Sequence, residues 1–170
     1  MSQKSLNEIE LPEDKCYGCG FSNSQGLGIK VDPLPEGADE LTATLVVPEH
    51  GTGLPGVVHG GILYTALDCL AGWIKLILMP KIKMFPATKT ATINYHKPGV
   101  PGRPITLKGR ITKGFTGPRD PIVIHTEAYD EAGDLLVDGD YTMALFPPEF
   151  MKQVAGIDEL PEHYRKRFES

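Results

Sequence analysis

The sequence predicts an α+β fold in which an antiparallel sheet wraps around one long buried helix. One long apolar segment, residues 59–79, has two alternating apolar and polar segments before it and about four after it. Gly, Pro, Asn and Asp residues separate these segments and mark them as strands joined by turns. Strands gathered on both sides of one helix in the sequence favour a sheet that packs against that helix.

The composition is that of one ordinary globular domain. The chain has 170 residues, 41% of them hydrophobic, and a formal net charge of -5. An acidic chain lacks the basic face that nucleic acids or anionic membrane surfaces attract, so neither is an expected partner. The N-terminal residues are polar, without a signal-peptide pattern, and three cysteines are too few for a disulfide framework. We expect a cytoplasmic protein.

Three regions are predicted along the chain. Residues 1–24 form an N-terminal arm and turn, of which residues 1–15 are expected to be loose. Residues 25–147 form the folded domain, which opens with strands at residues 27–31 and 41–47. Residues 148–170 are expected to form short helices on the surface.

The central helix is predicted over residues 59–79 because Pro80 cannot continue its hydrogen-bond ladder. Apolar side chains lie nearly all round it, and such a helix is buried on every side. Its length approaches that of a membrane span, but Asp68 and Lys75 would each cost roughly 2.5–3.5 kcal/mol at a bilayer centre. A helix buried in a folded domain is therefore the prediction.

Four further strands are predicted after Pro80, at residues 88–96, 105–112, 122–129 and 135–146. A sheet wrapped around a single long apolar helix is the hotdog arrangement. One helix barely covers such a sheet, so we expect a second copy of the chain to complete the core.

The start of the central helix, His59-Gly60-Gly61, is the strongest local motif. Glycines let a ligand approach the backbone closely. The first helical amides are unsatisfied, and the helix dipole is positive there. These features suit an oxygen atom that develops negative charge during a reaction. His59 itself is either a helix cap or a catalytic residue, and the sequence leaves both open.

Asp68 is the second candidate. A carboxylate within an apolar helix is costly unless it is paired or has a chemical role. The alternative to a catalytic role is a buried ion pair, for instance with Lys75 of a neighbouring chain. Lys75 of the same helix is about 10 Å along the axis and therefore out of easy reach.

The spacing of Gly60 and Asp68 predicts a dimer. The two residues lie eight apart, or about 12 Å along one helix. One carbonyl group cannot both accept from the Gly60 amide and be attacked by water held on Asp68 of that helix. Two antiparallel helices from two chains solve this, since each site then takes the amide from one chain and the carboxylate from the other.

The segments GVVHGGILYTALD and INYHKP resemble the PaaI-like branch of the hotdog-fold acyl-CoA thioesterases, over roughly residues 25–146. The upstream CYGCGFSNSQGLGI resembles a leader found in many members. The resemblance implies hydrolysis of an acyl-CoA thioester by a homodimer or dimer of dimers. It implies no cofactor, because coenzyme A is part of the substrate.

The resemblance also implies roles for particular residues. The Gly60 amide would polarise the thioester carbonyl, Asp68 would act as general base or nucleophile, and His59 would orient the substrate beside Gly61. Thr88 would assist the acid, unless it is an ordinary strand threonine. Some relatives carry an asparagine in the loop before the helix. This sequence has none there, and His50 and Thr52 are the candidates to replace it.

Other residues give weaker indications. Cys16 and Cys19 form a single CxxC pair without two obvious further ligands, so no metal site is predicted. Cys69 is expected to be a small core residue. Basic residues that could meet the CoA phosphates are Lys97, Arg103, Lys113 and Arg119.

Two other functions are compatible with this fold. A hotdog enoyl-CoA hydratase or dehydratase is disfavoured because Gly61 stands where its glutamate would be expected. A non-catalytic acyl-CoA binding protein of the regulatory kind would need a DNA-binding module, and the sequence shows neither a helix-turn-helix pattern nor a basic segment.

Overall fold

The computed structural model describes residues 3–117 and 120–169. The helices in this part of the chain are α1 (Leu6–Glu10), α2 (Gly60–Leu78), α3 (Pro148–Ala155) and α4 (Glu162–Phe168). The strands are β1 (Lys30–Val31), β2 (Glu40–Val46), β3 (Thr52–Leu54), β4 (Val57–Val58), β5 (Phe85–Tyr95), β6 (Pro104–Lys113), β7 (Ile122–Tyr129) and β8 (Leu135–Phe146).

Six strands form one antiparallel sheet in the order β1-β2-β6-β7-β8-β5. Two of them precede the central helix and four follow it, so the predicted α+β hotdog arrangement is confirmed. The four later strands were located within three residues at each end. Strand β5 begins earlier than predicted, at Phe85, and includes Pro86. Proline is tolerated in edge strands, and β5 is at the edge of the sheet.

Helix α2 crosses one face of this sheet and contacts β2, β5, β6, β7 and β8. His59 is its N-cap and Met79 its C-cap, close to the predicted limits. Nine of its side chains are buried: Leu63, Ala66, Leu67, Leu70, Ala71, Trp73, Ile74, Lys75 and Leu76. By length and composition alone α2 would pass for a membrane span. Its packing on the sheet is that of a core helix.

The expectation of a loose arm is wrong for α1. Leu6 and Leu11 are buried in the hydrophobic core. The Asn7 side chain donates to the Cys19 carbonyl oxygen at 2.7 Å and accepts from the Val31 amide at 2.7 Å. These two bonds connect the arm to the cysteine loop and to β1. The attachment of α1 was not predicted, because it depends on a short helix and on the two hydrogen bonds of the buried Asn7 side chain.

Two further features were not predicted in detail. Strands β3 and β4 form a small separate hairpin within the Gly- and Pro-rich loop before α2. At the other end of the chain, helix α4 packs inward, with the Phe168 ring stacked on Phe85 at 3.7 Å between ring centroids. The division into residues 1–24, 25–147 and 148–170 stays a prediction.

Candidate active site

The start of α2 presents an unengaged backbone amide at Gly60. The Gly61 amide donates to His59 Nδ1 at 2.9 Å, so His59 caps the helix. The Ile62 amide donates to the His59 carbonyl oxygen at 2.9 Å. The Gly60 amide has no hydrogen-bond partner among the described residues, and it lies at the positive end of the helix dipole. This amide is therefore free to donate to a ligand.

Tyr95, at the end of β5, fixes the other side of this helix start. Its hydroxyl donates to the Gly60 carbonyl oxygen at 3.0 Å. A Cβ atom at Gly60 would lie 3.2 Å from the Tyr95 ring, so the glycine allows this close packing. Sequence reasoning did not single out Tyr95, although it belongs to the INYHKP motif.

Asp68 and Thr88 meet through a hydrogen bond in which Thr88 Oγ1 donates to Asp68 Oδ1. Asp68 lies two turns along α2 from the helix start, and Thr88 lies on β5. The pairing of β5 with β8 shifts register between Thr88 and Thr90. Such irregularities re-aim side chains and are frequent beside active sites. Thr88 is thus in contact with Asp68, and its role in assisting the acid stays a prediction.

Burial raises the pKa of the Asp68 carboxyl above its ordinary value, and the hydrogen bond from Thr88 opposes this by stabilising the charged form. Asp68 opens onto a cavity of about 240 Å³. Its walls include Cys16, Cys69, Trp73, Thr88, Met143 and Tyr164. A half-buried carboxylate beside an apolar cavity is suited to hold and deprotonate a water molecule.

The two chemical groups do not come together within one chain. The cavity at Asp68 has no wall from His59, Gly60 or Gly61. Instead, β5 contacts both groups: Thr88 meets Asp68, and Tyr95 meets Gly60 seven residues further along the strand. The separation along α2 that the sequence predicted is therefore present in the fold.

Lys75 does not form an ion pair with Asp68, which was the alternative to a catalytic role for Asp68. Its ammonium group donates to the carbonyl oxygens of Ile82 at 2.6 Å and Met84 at 2.5 Å, and it lies over the Phe168 ring. The side chain is 1% exposed, so it is not available to a neighbouring chain. Burial, followed by the charges of Arg167 and Lys83, lowers the pKa of Lys75 to about 8.

The replacements proposed for the missing asparagine lie away from Asp68. His50 is in the short 3-10 helix Glu49–Gly51, and Thr52 opens β3. Both side chains are exposed, on the loop that packs against His59 rather than on the cavity. Within one chain, neither can position water for Asp68.

The candidate phosphate-binding residues are dispersed. Lys97 bonds to Asp130 and Asp134, both at 2.6 Å, and Arg103 lies 3.7 Å from Glu131. Lys113 ends β6, and Arg119 lies outside the described residues.

Cys69 packs against the hydrophobic core, as expected, and also contacts two other cysteines. Its sulfur, with those of Cys16 and Cys19, forms a cluster in which the three Sγ atoms lie within 4.8 Å of one another. Contacts with the Cys19 and Cys69 side chains lower the pKa of the Cys16 thiol far below its ordinary value. The sequence could not reveal this cluster, because Cys69 is fifty residues away and only the packing of α2 brings it to the CxxC loop.

The chain is a hotdog domain with a carboxylate, Asp68, on its central helix, and this carboxylate is paired with Thr88. A family model described as the thioesterase superfamily matches residues 55–116, from the loop before α2 into β6 and beyond. Over these residues the chain is similar to the thioesterase superfamily. The predicted resemblance to thioesterases and the prediction of a thioester hydrolase are thereby confirmed.

Solved structures agree on the fold. A hypothetical thioesterase from Streptococcus pneumoniae with coenzyme A superposes with a TM-score of 0.59 at 21% identity, over 69% of this chain and 87% of that one. The Escherichia coli PaaI protein, from the phenylacetic acid degradation operon, gives 0.60 at 16% identity, over 71% and 80%. A thioesterase from Haemophilus influenzae gives 0.61 at 18% identity, over 71% and 79%. No curated protein matches the chain in sequence.

Proposed function

We propose that this protein hydrolyses an acyl-CoA thioester to the free acid and coenzyme A. The observation that carries the proposal is the half-buried Asp68, held by the Thr88 hydroxyl at a cavity on the central helix. Two structural neighbours support the choice of substrate. The Streptococcus pneumoniae protein holds coenzyme A, and one from Streptococcus mutans, 20% identical with a TM-score of 0.57, is bound to acetyl-CoA.

Each group has one step in this reaction. The Gly60 amide donates to the thioester oxygen and stabilises the negative charge that develops there. In the first route Asp68 takes a proton from the attacking water, and the carbon–sulfur bond breaks to give the free acid and the CoA thiolate, which accepts that proton. In the second route Asp68 attacks the carbonyl carbon and expels the thiolate, and water then hydrolyses the resulting anhydride to free the acid and restore Asp68. His59 accepts from the Gly61 amide at Nδ1, which leaves Nε2 to contact the substrate. No cofactor is required, since coenzyme A arrives with the acyl group.

The site is completed by a second chain. Strand β5 is an edge strand of the sheet, so its outer backbone groups are open to pairing. Antiparallel pairing of two β5 strands about residues 91 and 92 would set Thr88 of each chain opposite Tyr95 of the other. Because Thr88 holds Asp68 and Tyr95 holds Gly60, this pairing brings each carboxylate towards the partner's amide. The homodimer is the unit of activity, alone or as a dimer of dimers.

Release of free thiol from a panel of short, medium, long and aromatic acyl-CoAs tests the reaction. We expect turnover of at least one member and no hydration of an enoyl-CoA. Asp68→Asn keeps the acceptor for Thr88 but removes the base, so kcat should fall about 10²–10⁴-fold with KM little changed. Tight binding without turnover, or hydration, would refute the proposal.

Subunit exchange tests the shared site. Asp68→Asn and Gly60→Val chains are each expected to be nearly inactive. A mixed dimer collects both defects in one site and leaves the other intact, so mixing should restore activity. The wild-type protein should sediment as a dimer or larger. A folded, active monomer of 18.5 kDa, or no recovery after exchange is verified by mass spectrometry, would show that both groups come from one chain.

A further inference from the structure

The three cysteine sulfurs have the spacing of a metal site. Cys16 Sγ and Cys69 Sγ are 3.8 Å apart, too far for a disulfide bond. In a tetrahedral zinc site with Zn–S bonds of about 2.3 Å, the sulfur–sulfur edges are about 3.8 Å. Since all three sulfurs lie within 4.8 Å of one another, shifts of no more than an ångström place them on three corners of that tetrahedron.

The loop that carries Cys16 and Cys19 is shaped around this cluster. A Cβ atom at Gly18 would lie 2.3 Å from Cys69 Sγ, so only glycine lets the loop close over that sulfur. A Cβ atom at Gly20 would lie 2.4 Å from the Cys16 amide nitrogen. The Gly20 amide donates to the Cys16 carbonyl oxygen at 2.9 Å and closes the turn. Gly18 therefore allows the close approach of the loop to the Cys69 sulfur, and Gly20 allows the tight turn that begins at Cys16.

We propose that Cys16, Cys19 and Cys69 bind one Zn²⁺ ion that fastens the N-terminal loop to the central helix. Three thiolate ligands select a thiophilic ion over Mg²⁺ or Ca²⁺, which prefer oxygen. No fourth His, Cys, Asp or Glu ligand joins the cluster within residues 3–117 and 120–169. The fourth coordination position is therefore left to water, on the cavity that the three cysteines share with Asp68.

The experiment uses the full chain and two metal ions, without any acyl-CoA. Purified protein should contain about one zinc per chain by elemental analysis. After removal of zinc, titration with Co²⁺ should produce the ultraviolet thiolate-to-cobalt charge-transfer band and saturate at one ion per chain. Cys16→Ser and Cys69→Ser should each weaken cobalt binding at least tenfold. Addition of Zn²⁺ should bleach the cobalt spectrum of the wild type.

A glycine pair provides the matched control. Gly18→Ala keeps all three cysteines but pushes the Cys69 sulfur away, so it should weaken cobalt binding. Gly114→Ala adds the same methyl group where no atom lies within 4 Å, so it should bind as the wild type does. Asp68→Asn should also bind cobalt normally, which separates this proposal from the proposed hydrolysis.

Absence of the charge-transfer band in reduced wild-type protein would overturn the proposal, whatever the variants do. Equal cobalt binding by Gly18→Ala and the wild type would also overturn it. An intact mass lower by two hydrogen atoms in protein purified without reductant, together with no bound metal, would show that two of the cysteines form a disulfide instead.

Discussion

The hydroxyl of Thr88 offers the sharpest test of how Asp68 is held. Valine has nearly the same shape as threonine, so Thr88→Val removes the hydrogen bond to Asp68 with little change in packing. A hydrogen bond to a charged group contributes about 1.5–3 kcal/mol. Since about 1.4 kcal/mol corresponds to a factor of ten, full loss of this orientation should lower kcat about 10- to 100-fold. KM should stay near its wild-type value, because the substrate does not need this bond in the ground state.

Thr88→Ser restores the hydroxyl and should recover most of the activity. Thr90→Val is the matched control, since Thr90 is exposed on the same strand beyond the register shift. The measurement is steady-state CoA release for all three variants beside their melting temperatures. Equal loss in the Ser and Val variants would mean that the whole threonine side chain, and not its hydroxyl alone, is needed. Unchanged kcat in Thr88→Val would leave Thr88 as an ordinary strand residue.

Two further predictions concern the ends of α2. His59→Ala should destabilise the fold by about 1 kcal/mol through loss of the cap, whereas His59→Asn should restore the melting temperature yet raise KM; an unchanged KM would make His59 a cap alone. The pKa of Lys75 is about 8 in the folded chain and 10.5 for an ordinary lysine. Between these two pH values the unfolded chain binds more protons than the folded one. The free energy of unfolding should therefore rise with pH across this window, by up to about 3 kcal/mol. Lys75→Met should lose this dependence in denaturant titrations, and a wild-type curve as flat as that of the variant would contradict the assignment.

The sheet and its helix were predictable because each carries a local signal. Strands β7 and β8 show alternation bounded by turns, and their limits match the prediction to the residue. Pro80 predicts the end of α2, which has its C-cap at Met79. The β3–β4 hairpin gave no such signal, since its three- and two-residue strands lie among glycines and a proline.

The candidate site was predictable where a charged residue lies within an apolar segment. Asp68 stood out because a charge in an apolar helix is costly, and the structure gives it Thr88 as a partner. Lys75 stood out for the same reason, yet its partners are backbone carbonyl groups of the turn after the helix, which no side-chain pattern encodes. Contacts between distant segments, such as Cys69 with the CxxC loop, required the folded chain.

The residues proposed for catalysis lie in the segment matched by the superfamily, whereas much of the cavity wall lies outside it. Gly60, Asp68 and Thr88 all lie within residues 55–116, the part shared with the superfamily. Much of the cavity wall comes from outside that segment: the cysteine loop, Met143 of β8, and Tyr164 and Phe168 of α4. The Tyr164 hydroxyl donates to Asp14, so the arm and the tail close the cavity against each other. Under the proposed function, this matched segment supplies the amide, the carboxylate and the threonine that holds it. We expect the arm and tail to set which acyl group fits, because they line the space beside the carboxylate.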